Sequence, residues 1–448
     1  MGRIDRKTVP ENTLLSPRWI VPIEPAGVVL EGHCVALRDG KIEAVLPQPE
    51  ASKRFASYEQ IALHEHALIP GLVNAHTHAA MTLMRGLADD LPLMRWLEEH
   101  VWPVEMKHVS PEFVRDGTRL ACAEMLRGGV TTMNDMYFFP EASLEAALEA
   151  GMRASVGMIV FDFPSAYGSD PDDYLAKGLA LRDRYRSHAQ VSFCLAPHAP
   201  YTVSDATFGK VAKLAAEVDV PIHIHLHETE HEIERSLAEH GVRPIARLER
   251  LGLLGPSLIA VHAVHLTDAE IALLARYGAS IAHCPSSNLK LASGFAPVAK
   301  LAAAGINLSL GTDGAASNNR LDLFEEMRLA ALLAKATARD AQALPAHAAL
   351  RAATLGGAMA LGLERSIGSI APGKEADLTA VRLAGPELSP CYDPASHLVY
   401  AAGRHNVSDV WVAGQRRLRD GNLENSASSG LDTRTDLWQN TLQAHPVS

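Results

Sequence analysis

Pro70-Gly71-Leu72-Val73-Asn74-Ala75-His76-Thr77-His78 closes an apolar run that begins at Ala67. The run predicts a buried strand over 67–73 with His-x-His at its end. Residues two apart on a strand face the same side, so His76 and His78 present two imidazoles together. Neutral imidazole ligates Zn²⁺ and other borderline divalent ions. One such triplet occurs by chance on ordinary surfaces. The reading therefore depends on whether other strand ends supply more ligands.

They do. Apolar runs at 67–73, 131–136, 153–161, 191–197, 221–226, 258–264, 280–284 and 307–311 predict eight strands. Ala/Leu-rich helical patterns, such as 141–150, 205–218, 268–277 and 322–336, fill most of the gaps. This alternation implies a parallel sheet covered on both faces, and eight strands close a (β/α)8 TIM barrel. Such barrels keep their chemistry at the C-terminal strand ends. There stand His76 and His78, His198, the His223/His225/His227 set, His262, His283 and Asp313. A lone strand-end histidine is usually structural, but six strand ends of one barrel converge on one centre and predict a metal site.

Within 221–227 the three histidines alternate onto one face, and one of them is expected to reach the metal. Asp313, in Gly-Thr-Asp-Gly, reads either as a turn aspartate or, at this strand end, as a ligand. His265 and His231 read as structural. His227-Glu228-Thr229-Glu230-His231 matches the HExxH pattern of zinc proteases. That pattern needs both histidines on one helix face, whereas Pro221 and the alternation after it keep His227 on strand or loop.

Both chain ends read as β-rich. Arg38-Asp39-Gly40-Lys41 between apolar runs is a hairpin signal. Residues 373–381 and 407–414 carry similar text. The expected organisation is an α/β protein: a composite β-sandwich domain from 1–66 and 367–448, and a catalytic barrel over 67–366. The polar stretch 422–448 is left without an assigned structure.

The bulk composition agrees. The 448 residues are 47% hydrophobic and 21% charged, which fits a globular chain of a barrel plus a smaller domain. A net charge of −11 without a basic patch argues against nucleic acid as partner. Five dispersed cysteines without CxxC spacing fit a reducing compartment. Met1–Arg6 has no apolar signal core, and no apolar run reaches 18 residues. The expectation is a cytoplasmic protein without a membrane partner.

The order and spacing of the Pro70–His78 stretch, His225-Leu226-His227-Glu228-Thr229, Val261-His262-Ala263-Val264-His265 and Gly311-Thr312-Asp313-Gly314-Ala315-Ala316-Ser317-Asn318-Asn319 resemble the amidohydrolase superfamily. More closely, they resemble its 5′-methylthioadenosine/S-adenosylhomocysteine deaminase branch. The resemblance spans nearly the whole chain. It implies one divalent metal per subunit, Zn²⁺ first and Fe²⁺ as the alternative, held by His76, His78, His225 and Asp313. Binuclear relatives use a lysine at the fourth strand end, and Val191–Pro197 has none.

The resemblance also assigns Trp96 and Glu105 to the nucleoside, Glu105 taking the ribose hydroxyls, with His198 a further ribose contact. Without it, Trp96 reads as a core aromatic and Glu105 as a surface charge. The implied reaction is hydrolytic deamination at purine C6. The metal acidifies a water, Asp313 and His262 take its proton, and Glu228 protonates N1. The segment after the third strand, Met158–Pro164, lacks the arginine expected where a homocysteine tail is bound. This favours 5′-methylthioadenosine, with S-adenosylhomocysteine and adenosine behind it. The alternatives are a guanine- or cytosine-type base deaminase, an s-triazine hydrolase on the same site, or a non-catalytic scaffold. The resemblance further implies a homo-oligomer, dimer or tetramer.

Overall fold

Eight short strands form a parallel sheet in sequential order: β1 Leu72–Thr77, β2 Val130–Asp135, β3 Arg153–Val160, β4 Val191–Pro197, β5 Ile222–Leu226, β6 Leu258–His262, β7 Ser280–His283 and β8 Asn307–Leu310. The computed structural model describes residues 12–424 and 430–444. The strands lie at the expected places, within one or two residues at most ends, apart from β1. They are buried almost throughout, as a parallel sheet with both faces covered requires. β8 returns to β1 through specific bonds. Asn74 Nδ2 donates to Thr312 Oγ1 at 2.7 Å, and the Thr312 N–H donates to Asn74 Oδ1 at 3.0 Å. The Asp313 N–H then donates to the His76 carbonyl at 3.0 Å. A Cβ on Gly311 would lie 2.8 Å from that of His76, so only glycine lets the two strand ends approach this closely.

The apolar run 67–73 is two strands rather than one. Ala67–Pro70 ends a long strand, Glu59–Pro70, which pairs with Thr13–Ile20 and Leu378–Arg382 in a separate sheet. The barrel strand starts at Leu72. Pro70 has no N–H to offer a ladder. A Cβ on Gly71 would meet Thr131 at 2.2 Å, so the chain passes between the two sheets at a glycine.

Among the described residues the second sheet has nine mixed strands, drawn from both chain ends. Neighbouring residues face opposite ways. Leu15 and Val35 join one apolar cluster with Trp411, while Leu14, Cys34 and Ala36 join another with Phe55. The expected hairpin is present, with Asp39 and Gly40 both at positive φ, as a type I′ turn requires. Most of the tail left unassigned by the sequence reading is a helix, Leu431–Ala444. Among the described residues no helix is long and apolar enough to cross a membrane.

Candidate active site

The C-terminal ends of β1, β5, β6 and β8 bring five side chains to one point. His76 stands on β1 and His78 just past it, His225 on β5, His262 on β6, and Asp313 just past β8. The ligand atoms of His76, His78 and His225 lie within 4.8 Å of one another, as do those of His76, His262 and Asp313. Asp313 Oδ1 is 3.3 Å from Nε2 of both His76 and His78, and His225 Nε2 is 3.3 Å from His78 Nε2. Asp313 and His262 hold φ of 60° and 69°. Such left-handed backbone at non-glycine residues is a feature of functional strand ends.

The surroundings fix which nitrogen faces inward. His78 Nδ1 lies 2.5 Å from the Met136 carbonyl and His225 Nδ1 lies 2.8 Å from the His198 carbonyl. A carbonyl only accepts, so both Nδ1 atoms carry the hydrogen and both Nε2 lone pairs point at the centre. His76 Nδ1 shares a 3.0 Å hydrogen bond with His223 Nε2, while its buried Nε2 has no hydrogen-bond partner. Burial lowers the His76 pKa to about 4 and holds His225 well below its ordinary value. Burial alone would raise the Asp313 carboxyl, but the close imidazoles of His76, His78 and His262 hold it well below the usual range. Ser287 Oγ donates to Asp313 Oδ2 at 2.6 Å.

Lone-pair nitrogens facing one another and a carboxylate oxygen repel unless a cation lies between them. Donor atoms tetrahedral about an ion at ~2.1 Å stand roughly 3.4 Å apart, close to the spacings here. The residues therefore fit a divalent metal.

Glu228 follows β5 and is buried. Its Oε2 lies 3.7 Å from His262 Nε2. Burial raises its pKa, and the proximity of His262 opposes the shift. His262 Nδ1 is held by Asn288 Oδ1 at 2.8 Å. His223 and His227 take no place in the centre. His223 supports His76. His227 turns away at φ 56°, its Nδ1 bonding the His265 carbonyl and its Nε2 accepting the Ile245 N–H. His231 is exposed on the following helix, so the HExxH pair never forms.

A cavity of about 390 Å³ opens from this centre. Its walls include Trp96, Glu105, Tyr137, Phe161 and His198. Nine residues of regular helix would set Trp96 and Glu105 on opposite faces. A π-helical turn, Leu97–Val101, lies between them, and both reach the cavity. Tyr137 Oη donates to Glu105 Oε1 at 2.7 Å. Glu105 is half-buried and lines the cavity wall. That burial pushes its pKa up to about 7, against the Tyr137 bond. His198 packs against Phe161 with ring centroids 4.7 Å apart and is kept neutral by burial, its pKa lowered to about 3. Among the described residues no lysine or arginine lines the cavity.

Sequence reasoning missed Tyr137, Ser287 and Asn288. Tyr137 lies two residues past β2, so its strand-end position was a signal. Ser287 and Asn288 lie past β7 in ordinary-looking polar text.

A (β/α)8 barrel with one histidine–aspartate cation centre and a buried glutamate above it defines a class, the metal-dependent hydrolases. The profile of the amidohydrolase family matches residues 67–417. This chain belongs to that family. It is 46% identical over 439 residues to a protein of Saccharophagus degradans named 5-methylthioadenosine/S-adenosylhomocysteine deaminase, covering 98% of each chain. The structure of an adenosine deaminase from Xanthomonas campestris with bound zinc is 52% identical, covers 97% of this chain and 99% of its own, and superposes with a TM-score of 0.96. The zinc complex of an atrazine chlorohydrolase from Arthrobacter aurescens is 26% identical, covers 95% of this chain and 100% of its own, and has a TM-score of 0.89.

Proposed function

We propose that this chain hydrolyses the C6–N6 bond of an adenosine-type nucleoside and releases ammonia. The preferred substrate is 5′-methylthioadenosine, with S-adenosylhomocysteine and adenosine as further ones. The observation that carries this reading is one cavity that joins the His/Asp centre and Glu228 to the wall of Trp96 and Glu105. The deaminase names of the relatives at 46% and 52% identity support it. The triazine reading rests on relatives at only 26% identity.

His76, His78, His225 and Asp313 would hold one divalent ion, zinc first and Fe²⁺ as the alternative. When bound, the ion supplies the positive charge that makes water acidic near neutral pH. Asp313 and His262 would accept the proton of the attacking water. Glu228 gives a proton to N1 as oxygen adds to C6. The proton taken from water then passes to N6, the C6–N6 bond breaks, the C6 hydroxyl returns its proton to Glu228 as it becomes the carbonyl, and ammonia leaves the inosine-type product. Trp96 packs against the nucleoside, while Glu105 and His198 face the ribose hydroxyls. The apolar, cation-free cavity suits a neutral methylthio group better than an amino-acid tail, whose carboxylate would lack a partner. Arg153 is no substitute, since it bonds Asp377 at the far end of β3.

The domain division proposed is a composite unit from both chain ends and a catalytic barrel, with the first boundary at Gly71. A cytoplasmic homo-oligomer, dimer or tetramer, completes the proposal. It is supported by five unpaired cysteines and by exposed apolar side chains such as Met106 and Tyr392.

The test is ultraviolet absorbance with zinc-loaded protein and 5′-methylthioadenosine, S-adenosylhomocysteine, adenosine, guanine and cytosine in separate assays. Fast turnover of the methylthio nucleoside and slow turnover of S-adenosylhomocysteine is expected. Activity on the free bases alone would overturn the nucleoside reading. Glu228→Gln should keep its metal and lose about 10²-fold or more in kcat, whereas His225→Ala should lose the metal as well.

A further inference from the structure

The helix Glu230–His240 begins with a capping sequence that does something unusual. Thr229 is its N-cap, and the Thr229 hydroxyl accepts the Glu232 N–H at 3.3 Å. In an ordinary capping box the glutamate three residues on bonds back to the N–H of the cap residue. The same chain contains that arrangement at Thr267 and Glu270, where Glu270 Oε2 accepts the Thr267 N–H at 2.8 Å. Glu232 reaches further back. Its Oε1 accepts the His227 N–H at 2.9 Å and its Oε2 accepts the Glu228 N–H at 2.8 Å. The side chain is buried.

Those two amides flank the strained point of the loop. His227 holds φ 56°, a left-handed conformation that a residue with a Cβ adopts at a cost and keeps only when its neighbours enforce it. The turn at His227 sends its own ring away from the centre and leaves Glu228 over it, 3.7 Å from His262. A proton-transfer group must come within about 2.6–3.2 Å of the atom it serves. A shift of about 1 Å can cost about 10²-fold in rate.

We infer that Glu232 is a positioning residue for the deamination: its carboxylate clamps the backbone amides of His227 and Glu228 and thereby sets the placement of the Glu228 side chain. This inference rests on the reading of Glu228 as the proton donor to N1. Glu232 does not line the cavity, and its carboxyl oxygens meet backbone amides rather than His76, His78, His225 or Asp313.

The experiment compares Glu232→Gln with wild type, with Glu228→Gln and with the double variant, all zinc-loaded. Glutamine has one acceptor oxygen, so it satisfies one amide and turns an NH₂ toward the other. Glu232→Gln should lower kcat with methylthioadenosine by about 10- to 100-fold, with KM and bound zinc within about twofold of wild type. Adding it to Glu228→Gln should cause no further loss, because the group it positions is already disabled. Amide hydrogen exchange of the segment containing His227 and Glu228 should rise in Glu232→Gln. Glu232→Asp withdraws the carboxylate by one methylene and should show the same selective loss, should the glutamine variant fold poorly. Unchanged kcat alongside raised exchange would overturn the inference, as would a loss that multiplies with that of Glu228→Gln. If wild-type protein turns over no adenosine nucleoside, the deaminase reading falls first. The exchange difference alone then decides whether Glu232 holds this backbone.

Discussion

Glu105 is a carboxyl whose charge should depend on pH within the working range. Burial raises its pKa to about 7, and the Tyr137 hydroxyl at 2.7 Å opposes the shift. A carboxylate accepts from two ribose hydroxyls, whereas a protonated acid must spend one oxygen as a donor. As pH falls through about 7 the group takes up a proton, so KM for the nucleoside should rise by up to about tenfold per unit below it. Glu105→Gln should bind more weakly and flatten this limb. Tyr137→Phe should move it to higher pH, since the bond that favours the charge is gone. The linkage to folding has the opposite sense. The folded state holds this proton more tightly than the unfolded chain, so the cost of Glu105 builds up as pH rises from about 4.5 to about 7. Glu105→Gln should therefore be the more stable protein at pH 8. KM–pH profiles of the three proteins settle the matter, and an unaltered acid limb in Glu105→Gln would sink it. At this scale the metal-ligand candidates were legible because each is a histidine or aspartate ending an apolar run. Tyr137, Ser287 and Asn288 were not. Groups that hold a functional residue from behind need no charge and no spacing, only a place beside it in space.

Among the elements, the helix Leu431–Ala444 bears on the cavity although it lies far from the barrel in sequence. Trp438 meets Phe113 edge to face at 5.1 Å, and its Nε1–H donates to Asp116 at 2.8 Å. Arg434 bonds the same carboxylate. Leu442 joins an apolar cluster with Met81, Trp96, Leu97 and Tyr137, all of which line the cavity. The helix thus braces one wall of the cavity. Trp438→Ala should cost about 2 kcal/mol in stability, since the ring is only partly buried. It should also raise KM several-fold while kcat and zinc content hold. Denaturant unfolding and steady-state kinetics check both, and an unchanged KM would show that the brace does not reach the wall. This helix escaped the sequence reading because Leu431, Trp438 and Leu442 form a narrow apolar seam in polar text. The break at Gly71 escaped it for a different reason. Ala67–Pro70 and Leu72–Val73 are equally buried, and hydropathy does not record a change of hydrogen-bonding partner.

Across the whole molecule, the barrel and the sheet from the chain ends meet at a buried ion pair. Arg153 opens β3, and its Nε donates to Asp377 Oδ2 at 2.9 Å while Nη2 donates to Oδ1 at 3.2 Å. Asp377 also accepts the Ala413 N–H at 2.7 Å, and its carbonyl accepts the Gly71 N–H at 2.8 Å. One aspartate therefore joins the first barrel strand, the third, and both C-terminal pieces of the sheet. The alternation of apolar runs announced the barrel, and the similar text at the two chain ends announced the sheet. The joint between them pairs residues 224 apart and has no local signature. β3 spans eight residues, so this joint lies roughly 23 Å from the strand end that lines the cavity. Removing one partner of a buried pair typically costs about 3–5 kcal/mol, and without Asp377 the Arg153 guanidinium keeps the more distant Glu375, at 3.7 Å. Asp377→Ala should lose that much, and Arg153→Met should lose a similar amount. Replacing both partners should cost less than the two singles together, because no bare charge remains. Since the pair does not touch the cavity, the folded fraction of each variant should keep wild-type kcat, KM and zinc content. Unfolding curves of the four proteins measure the coupling. A fall in kcat in fully folded, zinc-replete Asp377→Ala would mean that the joint also shapes the active site across the length of β3.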